Sequence, residues 1–129
     1  MTITRLKYCV DNEWKESTSG NYAPVMNPST GEQMAETPIC TASEVESAVL
    51  SARRAFPEWS SKPVAMRTQV IFRFRELVNA HFNELATLLA TEMGKNLTEA
   101  KGDVHKVIEA CEISLCAPLE LQGYALKEA

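Results

Sequence analysis

The spacing of apolar residues is typical of strands in the first forty residues and of helices after them. Residues 6–16 hold two short apolar stretches on either side of Asp11 and Asn12, which tolerate the positive φ angles of a tight hairpin turn. Residues 22–37 hold a second pair of extended stretches, joined by turn-forming residues at 28–31. The first part of the chain therefore predicts two strand-turn-strand units.

A helix is predicted to begin directly after Thr41. Thr41 and Glu44 have the spacing of a capping box, in which each residue's side chain bonds the backbone N–H of the other. The apolar positions that follow recur every three or four residues and are Val45, Ala48, Val49, Ala52 and Phe56. Because proline disrupts a helix interior, we expect this helix to end at Pro57.

The remaining chain predicts two or three more helices. Pro63 suits the first turn of a helix, since its missing N–H would have no partner there. An apolar stripe follows over residues 70–89, with a break expected near 79–81. Gly94 predicts a helix end, and Asn96 can cap the last helix. The apolar face of that helix comprises Ala100, Val104, Val107, Ile108, Cys111 and Leu115, before Pro118.

The order of elements predicts an α+β fold, with N-terminal β-hairpins followed by three or four helices. Four short strands cannot cover the apolar faces of those helices. The final stretch from Leu119 shows no clear periodicity. We therefore expect this surplus surface to be covered by further copies of the chain, as a homo-oligomer, or by the missing remainder of a larger protein.

Composition excludes several classes of protein. The 129 residues, 45% hydrophobic and 23% charged, suit one globular domain or part of one. The net charge of −4 provides no basic surface, so nucleic acid is not an expected partner. The apolar runs are far shorter than the roughly 20 residues that cross a membrane, and no secretion signal opens the sequence. We expect a cytoplasmic location with free thiols, because the four cysteines form no Cys-x-x-Cys pair.

The histidines offer the first candidate site residues. His105, Glu109 and Glu112 would share one face of a helix and could bind a metal. The alternative is a solvated helix face, which we favour because no matching pair of ligands lies on another predicted helix. His81 borders the long apolar stripe and suits a helix junction better than a catalytic base.

The cysteines are weak candidates for a nucleophile. Cys111 lies on an apolar helix face, where burial disfavours the thiolate. Cys40 alone lies near a predicted helix N-terminus, which would favour the thiolate. The alternative is that Cys40 is only a small packing residue at the end of a strand. Cys9 falls in the first hairpin and Cys116 near Pro118.

Anion-binding sites are not indicated either. A phosphate cradle needs closely spaced glycines, whereas the glycines here are isolated at positions 20, 31, 94, 102 and 123. The mid-helix arginines lie beside acidic residues and are expected to be solvated; they are Arg53, Arg54, Arg67, Arg73 and Arg75. We therefore predict no catalytic, cofactor-binding or metal-binding residue in this chain.

Several motifs, taken in order, resemble the N-terminal portion of the aldehyde dehydrogenase superfamily. They are VDNEW at 10–14, PVMNPSTGE at 24–32, TASEVESAV at 41–49, ARRAFPEW at 52–59 and EMGKNLTEA at 92–100. GDVHKVIEACE at 102–112, together with Pro63, is most similar to the methylmalonate-semialdehyde dehydrogenase branch. The resemblance covers nearly the whole chain.

The resemblance implies a part of an NAD-dependent enzyme that oxidises an aldehyde to an acid or an acyl-CoA, with coenzyme A as a possible co-substrate. It also implies that the nucleophilic cysteine, the glutamate base, the oxyanion-binding asparagine and the glycine-bearing cofactor turn belong to sequence beyond residue 129. We therefore expect residues 1–129 to be an N-terminal fragment of the NAD-binding domain, frayed over 1–5 and inactive alone.

Two alternatives to that fragment remain. The first is a stand-alone structural or protein-interaction module derived from such an enzyme. The second is a small metal or redox protein, which rests only on His105, Glu109 and the cysteines.

Overall fold

The computed structural model describes residues 3–123, in which strands precede helices as predicted. The strands are β1 (Thr4–Arg5), β2 (Tyr8–Val10), β3 (Glu13–Lys15), β4 (Tyr22–Met26) and β5 (Gln33–Pro38). The helices are α1 (Ala42–Ser61), α2 (Val64–Ala80), α3 (Phe82–Met93), α4 (Leu97–Leu115) and the short α5 (Ala117–Glu120). Among residues 3–123, no helix combines the length and the hydropathy needed to cross a membrane.

Both predicted strand-turn-strand units are present. β2 and β3 form an antiparallel hairpin whose turn residues, Asp11 and Asn12, have φ angles of 54° and 62°. β4 and β5 pair antiparallel in a three-stranded sheet of order β1-β5-β4, with an irregularity between Val25 and Met26. β4 is an edge strand of this sheet, and it carries Pro24.

The predicted fraying is wrong for Thr4 and Arg5. These residues form β1, which pairs parallel with β5 opposite Ala35 and Glu36. The Arg5 Nε donates to Glu36 at 3.0 Å, and the guanidinium carbon lies 4.9 Å from the centre of the Tyr22 ring. This ion pair and cation–π contact hold the start of the chain on the sheet. The first two positions lie outside the described residues.

The capping box of α1 is confirmed, whereas its predicted end at Pro57 is wrong. Glu44 N donates to Thr41 Oγ1 at 3.3 Å, and Thr41 N donates to Glu44 Oε2 at 2.7 Å. The helix continues through Pro57 to Ser61. Pro57 cannot donate to the Arg53 carbonyl and its ring crowds that group, but the N–H groups of later residues can still bond, so the helix continues past it at a local cost.

The other predicted boundaries are mostly confirmed. His81 separates α2 from α3, and Gly94 follows the end of α3 with a φ of 68°. The Asn96 side chain caps α4 by accepting from Glu99 N at 2.9 Å. Pro63 occupies the N-cap of α2, one position before the predicted first turn. These boundaries follow from local backbone chemistry.

The described residues divide into two compact units. The first comprises the residues up to Ser60 together with Thr91–Gly94, and the second comprises Ser61–Ala90 and the residues from Lys95 onwards. The core of the second unit contains the buried residues Val78, Ala86, Val104 and Ile108, with Phe82 and Leu89 packed against them. This unit therefore has a small core of its own.

In the first unit, α1 contributes no core. None of the residues of α1, all of which the structure describes, is buried. Its large apolar side chains are 55% exposed at Val45, 61% at Val49 and 65% at Phe56. Apolar side chains this exposed along a whole helix form a patch of a kind that is uncommon on monomeric soluble proteins.

Candidate functional site

An apolar groove of about 430 Å³ lies between the β2–β3 hairpin and α1 in the first unit. The residues that line this hairpin groove are Tyr8, Cys9, Val10, Cys40, Glu44, Val45, Ala48, Val49 and Ala52. Its polar groups are two thiols, one phenol and one carboxylate. Such a lining can accept an apolar surface, and it pairs no nucleophile with a histidine base.

The turn of the hairpin is fastened to α1 through Asp11. Its carboxylate accepts a hydrogen bond from the Ser51 hydroxyl and lies 3.5 Å from Nη2 of Arg54. Sequence reasoning did not find this contact, which joins residues 40 positions apart. The available signals in the sequence were the carboxylate of Asp11 in the predicted turn and the polar side chains of Ser51 and Arg54 in the predicted helix.

The Glu44 carboxylate joins α1 to the loop between β3 and β4. Besides Thr41 N, it accepts from Thr18 N at 2.7 Å, from the Thr18 hydroxyl at 3.0 Å and from the Ser17 hydroxyl at 2.8 Å. The N–H of Thr18, then the N–H of Thr41 and the two hydroxyls, lower the pKa of Glu44 from 4.5 to about 2 against the opposing effect of burial. Glu44 is therefore a structural anion and a poor proton acceptor.

Replacing Glu44 with glutamine is expected to flatten the acid side of the stability profile. The folded-state pKa of Glu44 is about 2 and its ordinary value is 4.5, so its ionised form stabilises the fold above pH 4.5. That contribution is lost as the pH falls through this window. Urea unfolding at several pH values between 7 and 2 should show a shallower decline for Glu44→Gln than for the native chain.

The matched control for this variant is Glu92→Gln, which changes an exposed glutamate of α3 in the first unit. We expect the control to keep the native pH dependence. Parallel profiles for the native chain and Glu44→Gln would contradict the role of this carboxylate.

The histidine candidates are not brought into a cluster. His105 Nε2 lies 3.6 Å from Glu109 Oε1, but the Glu112 carboxylate is held instead by Arg75 of α2 at 2.6 Å. His81 Nδ1 lies 2.8 Å from Glu84 Oε2 at the start of α3. Across residues 3–123, no three side chains of His, Cys, Asp or Glu converge as a metal site would require.

The cysteines occupy three different environments. Cys111 is buried on α4, as its apolar position predicts. Cys9 is exposed and Cys40 half-buried, and both line the hairpin groove. Cys116 is exposed, with its Sγ 3.9 Å from the Glu112 carbonyl oxygen. Cys9 and Cys40 share one groove although they are far apart in sequence, which the sequence did not suggest.

The arginines do not form an anion-binding face. Arg75 binds Glu112 and Glu76, and its hydrogen bonds to Glu112 and then to Glu76 raise the pKa of its guanidinium. Arg54 pairs with Asp11, and Arg67 donates to the Lys62 carbonyl at 3.2 Å. These contacts tie neighbouring elements together.

The described residues do not form a dinucleotide cradle. The long helices α1, α2 and α4 start after Thr41, Pro63 and Asn96, none of which lets a phosphate approach as closely as glycine does. Gly94 approaches Pro28 instead, since a Cβ built on Gly94 would lie 2.7 Å from Pro28 Cγ. The starts of these three helices therefore lack the glycines that a pyrophosphate cradle uses.

A second apolar groove, of about 380 Å³, lies between α2 and α4 in the second unit. Ile71, Phe74 and Val107 contribute to its lining. Lys106 lies at this groove and is 3.4 Å from the Asp103 carboxylate, which also binds Lys95. Lys95, then Lys106, lower the pKa of Asp103. Each unit therefore exposes an apolar groove, and the carboxylate beside that groove already has its hydrogen-bond or ion-pair partners.

Comparison with known proteins assigns the chain to a family. The profile of the aldehyde dehydrogenase family matches residues 14–129. Malonate-semialdehyde dehydrogenase of Listeria monocytogenes serotype 4a (strain HCC23) is 41% identical over 124 residues, which cover 96% of this chain and 25% of that protein. The chain thus spans about a quarter of the length of this relative.

Solved structures agree with this assignment. Methylmalonate-semialdehyde dehydrogenase from Oceanimonas doudoroffii superposes with a TM-score of 0.88 at 31% identity, over 95% of this chain and 25% of that one. A protein of Sinorhizobium meliloti 1021, assigned as a methylmalonate-semialdehyde dehydrogenase and complexed with NAD, gives 0.88 at 32% identity, over 98% and 26%. The chain belongs to the aldehyde dehydrogenase family, and its α+β fold matches the N-terminal part of that family's Rossmann-like domain.

Proposed function

We propose that this chain is the N-terminal segment of an NAD-dependent semialdehyde dehydrogenase that acts on malonate or methylmalonate semialdehyde. The observation that carries the proposal is its 41% identity to a malonate-semialdehyde dehydrogenase across 96% of its own length. A similar solved structure holds NAD, which supports the same cofactor for the enzyme to which this segment belongs.

The segment's own role in the proposal is structural. Its helices and short strands form an outer layer of the cofactor-binding domain. The exposed apolar side chains of α1 and the two apolar grooves support this role, because such surfaces suit packing against further polypeptide.

By itself the segment is proposed to be inactive. In this family a cysteine thiolate attacks the aldehyde, hydride passes to NAD, and water or coenzyme A releases the acyl group. Cys111 is buried, and the carboxylate in the groove that holds Cys9 and Cys40 is Glu44, whose lowered pKa makes it a poor proton acceptor. These environments support the proposal that Cys9, Cys40 and Cys111 are not nucleophiles.

Complementation of a truncated enzyme tests this function. The partner is the Listeria relative without the segment that aligns with this chain, and NADH formation from malonate semialdehyde is followed with and without coenzyme A. We expect no NADH from either polypeptide alone and recovery when the two are mixed. The intact relative is the positive control.

Each other outcome has a definite meaning. NADH formed by this chain alone, or micromolar NAD binding to it in calorimetry, would contradict its inactivity. A mixture that neither associates nor forms NADH would favour the alternative of a stand-alone interaction module.

A further inference from the structure

The exposed apolar stripe of α1 has the repeat of a coiled-coil helix. Val45, Val49, Ala52, Phe56 and Trp59 are spaced alternately by four and three residues. At 3.6 residues per turn, this spacing places all five on one narrow face over four turns. All five are exposed, and the largest, Phe56 and Trp59, are 65% and 41% exposed. We refer to these five residues as the α1 stripe.

The two flanks of the α1 stripe differ. One flank borders the hairpin groove, which Val45, Val49 and Ala52 of the stripe also line. The other carries Glu46 and Arg53, which are seven residues apart and therefore lie on the same side of the helix, two turns from each other. Neither side chain forms an ion pair or a hydrogen bond with another residue of the described part. This flank thus displays one acidic and one basic group that are free to pair with another molecule.

We propose that the isolated chain forms a two-fold symmetric dimer in which α1 packs antiparallel against α1 of a second copy. The pairing centres between Leu50 and Ser51. It places Val49 against Ala52 of the second copy, and Val45 against Phe56 of the second copy. The α1 stripe is thereby covered by its own symmetry mate.

Charge complementarity selects this partner and this direction. In the antiparallel arrangement, Glu46 of each copy lies close to Arg53 of the other, so two ion pairs flank the covered stripe. In a parallel arrangement, the flank that carries Glu46 and Arg53 would face the opposite flank of the second copy, so neither ion pair would form. The antiparallel dimer is therefore favoured by its two ion pairs.

Charge reversal tests the interface in the full chain. Sedimentation equilibrium over a micromolar concentration series should give the native chain a mass approaching twice 14.3 kDa. Glu46→Arg or Arg53→Glu alone places like charges opposite each other at two symmetric positions. Each is expected to weaken dimerisation by about tenfold or more. The double variant Glu46→Arg/Arg53→Glu restores opposite charges and should dimerise like the native chain.

Two controls separate this interface from others. Arg73→Glu reverses an exposed arginine of the second unit and should leave the dimer unchanged. Val49→Asp alters an exposed residue of the stripe and should give a folded monomer, with native helical content by circular dichroism.

Several results would overturn the proposal. They are a native chain that stays at 14.3 kDa, single reversals without effect, and a double variant that fails to recover. These readouts measure mass, so they are independent of the complementation assay for NADH.

Discussion

Gly94→Ala is expected to lower the free energy of unfolding by about 2 to 5 kcal/mol. Position 94 has a φ of 68°, in the left-handed region where a Cβ costs about 1 to 2 kcal/mol. The new Cβ would also lie 2.7 Å from Pro28 Cγ and 3.2 Å from Ser29 Oγ, and a proline ring cannot rotate away. Urea unfolding followed by circular dichroism measures the loss.

Gly31→Ala is the matched control for this variant. Gly31 has a φ of 74°, but nothing lies within 4 Å of the Cβ that alanine would add. Its cost should therefore be limited to the left-handed backbone, about 1 to 2 kcal/mol. Equal losses at the two positions would show that the approach of Gly94 to Pro28 contributes nothing.

The second large effect is expected from Ile108→Ala in the core of the second unit. Ile108 is 6% exposed and clusters with Val78, Ala86 and Val104. Truncation removes buried methyl groups and leaves a cavity, which typically costs about 2 to 5 kcal/mol. The same unfolding measurement should show the lower stability. Hydrogen exchange should be faster at the backbone amides of α4.

Ile113→Ala makes the same chemical change on the same helix, at a residue that is 74% exposed. Its effect should stay within about 0.5 kcal/mol, because no buried contact is lost. If the two isoleucine variants lost equal stability, the proposed core would not hold this unit together.

Elements fixed by short-range chemistry could be predicted from the sequence. The hairpin turn follows from the tolerance of Asp11 and Asn12 for positive φ, and the start of α1 from the reciprocal bonds of Thr41 and Glu44. The cap at Asn96 belongs to the same class. In each case the interacting groups lie within a few residues, so their spacing is enough.

Elements that depend on distant residues could not be predicted. β1 forms because Thr4 and Arg5 pair with β5, about 31 residues later, and the sequence near the start of the chain does not indicate that partner. The predicted end of α1 at Pro57 is wrong for another reason. That prediction rests on Pro57 alone, without regard to the number of helical residues before and after it.

The candidate site shows the same division. The position of Cys111 on a buried face could be predicted from its apolar neighbours. The hairpin groove could not, because it depends on how Asp11 fastens the hairpin to Ser51 and Arg54. The family resemblance came from the order of the motifs, and the chemistry of individual residues gave no function.

Pro24 has a consequence for the chain during its synthesis. A polypeptide that is still leaving the ribosome has surfaces that are not yet covered. An unpaired edge strand is a hazard during that interval, because a neighbouring nascent chain can add to it. Pro24 interrupts the donors of the β4 edge, so the pairing of nascent sheets at this edge is discouraged.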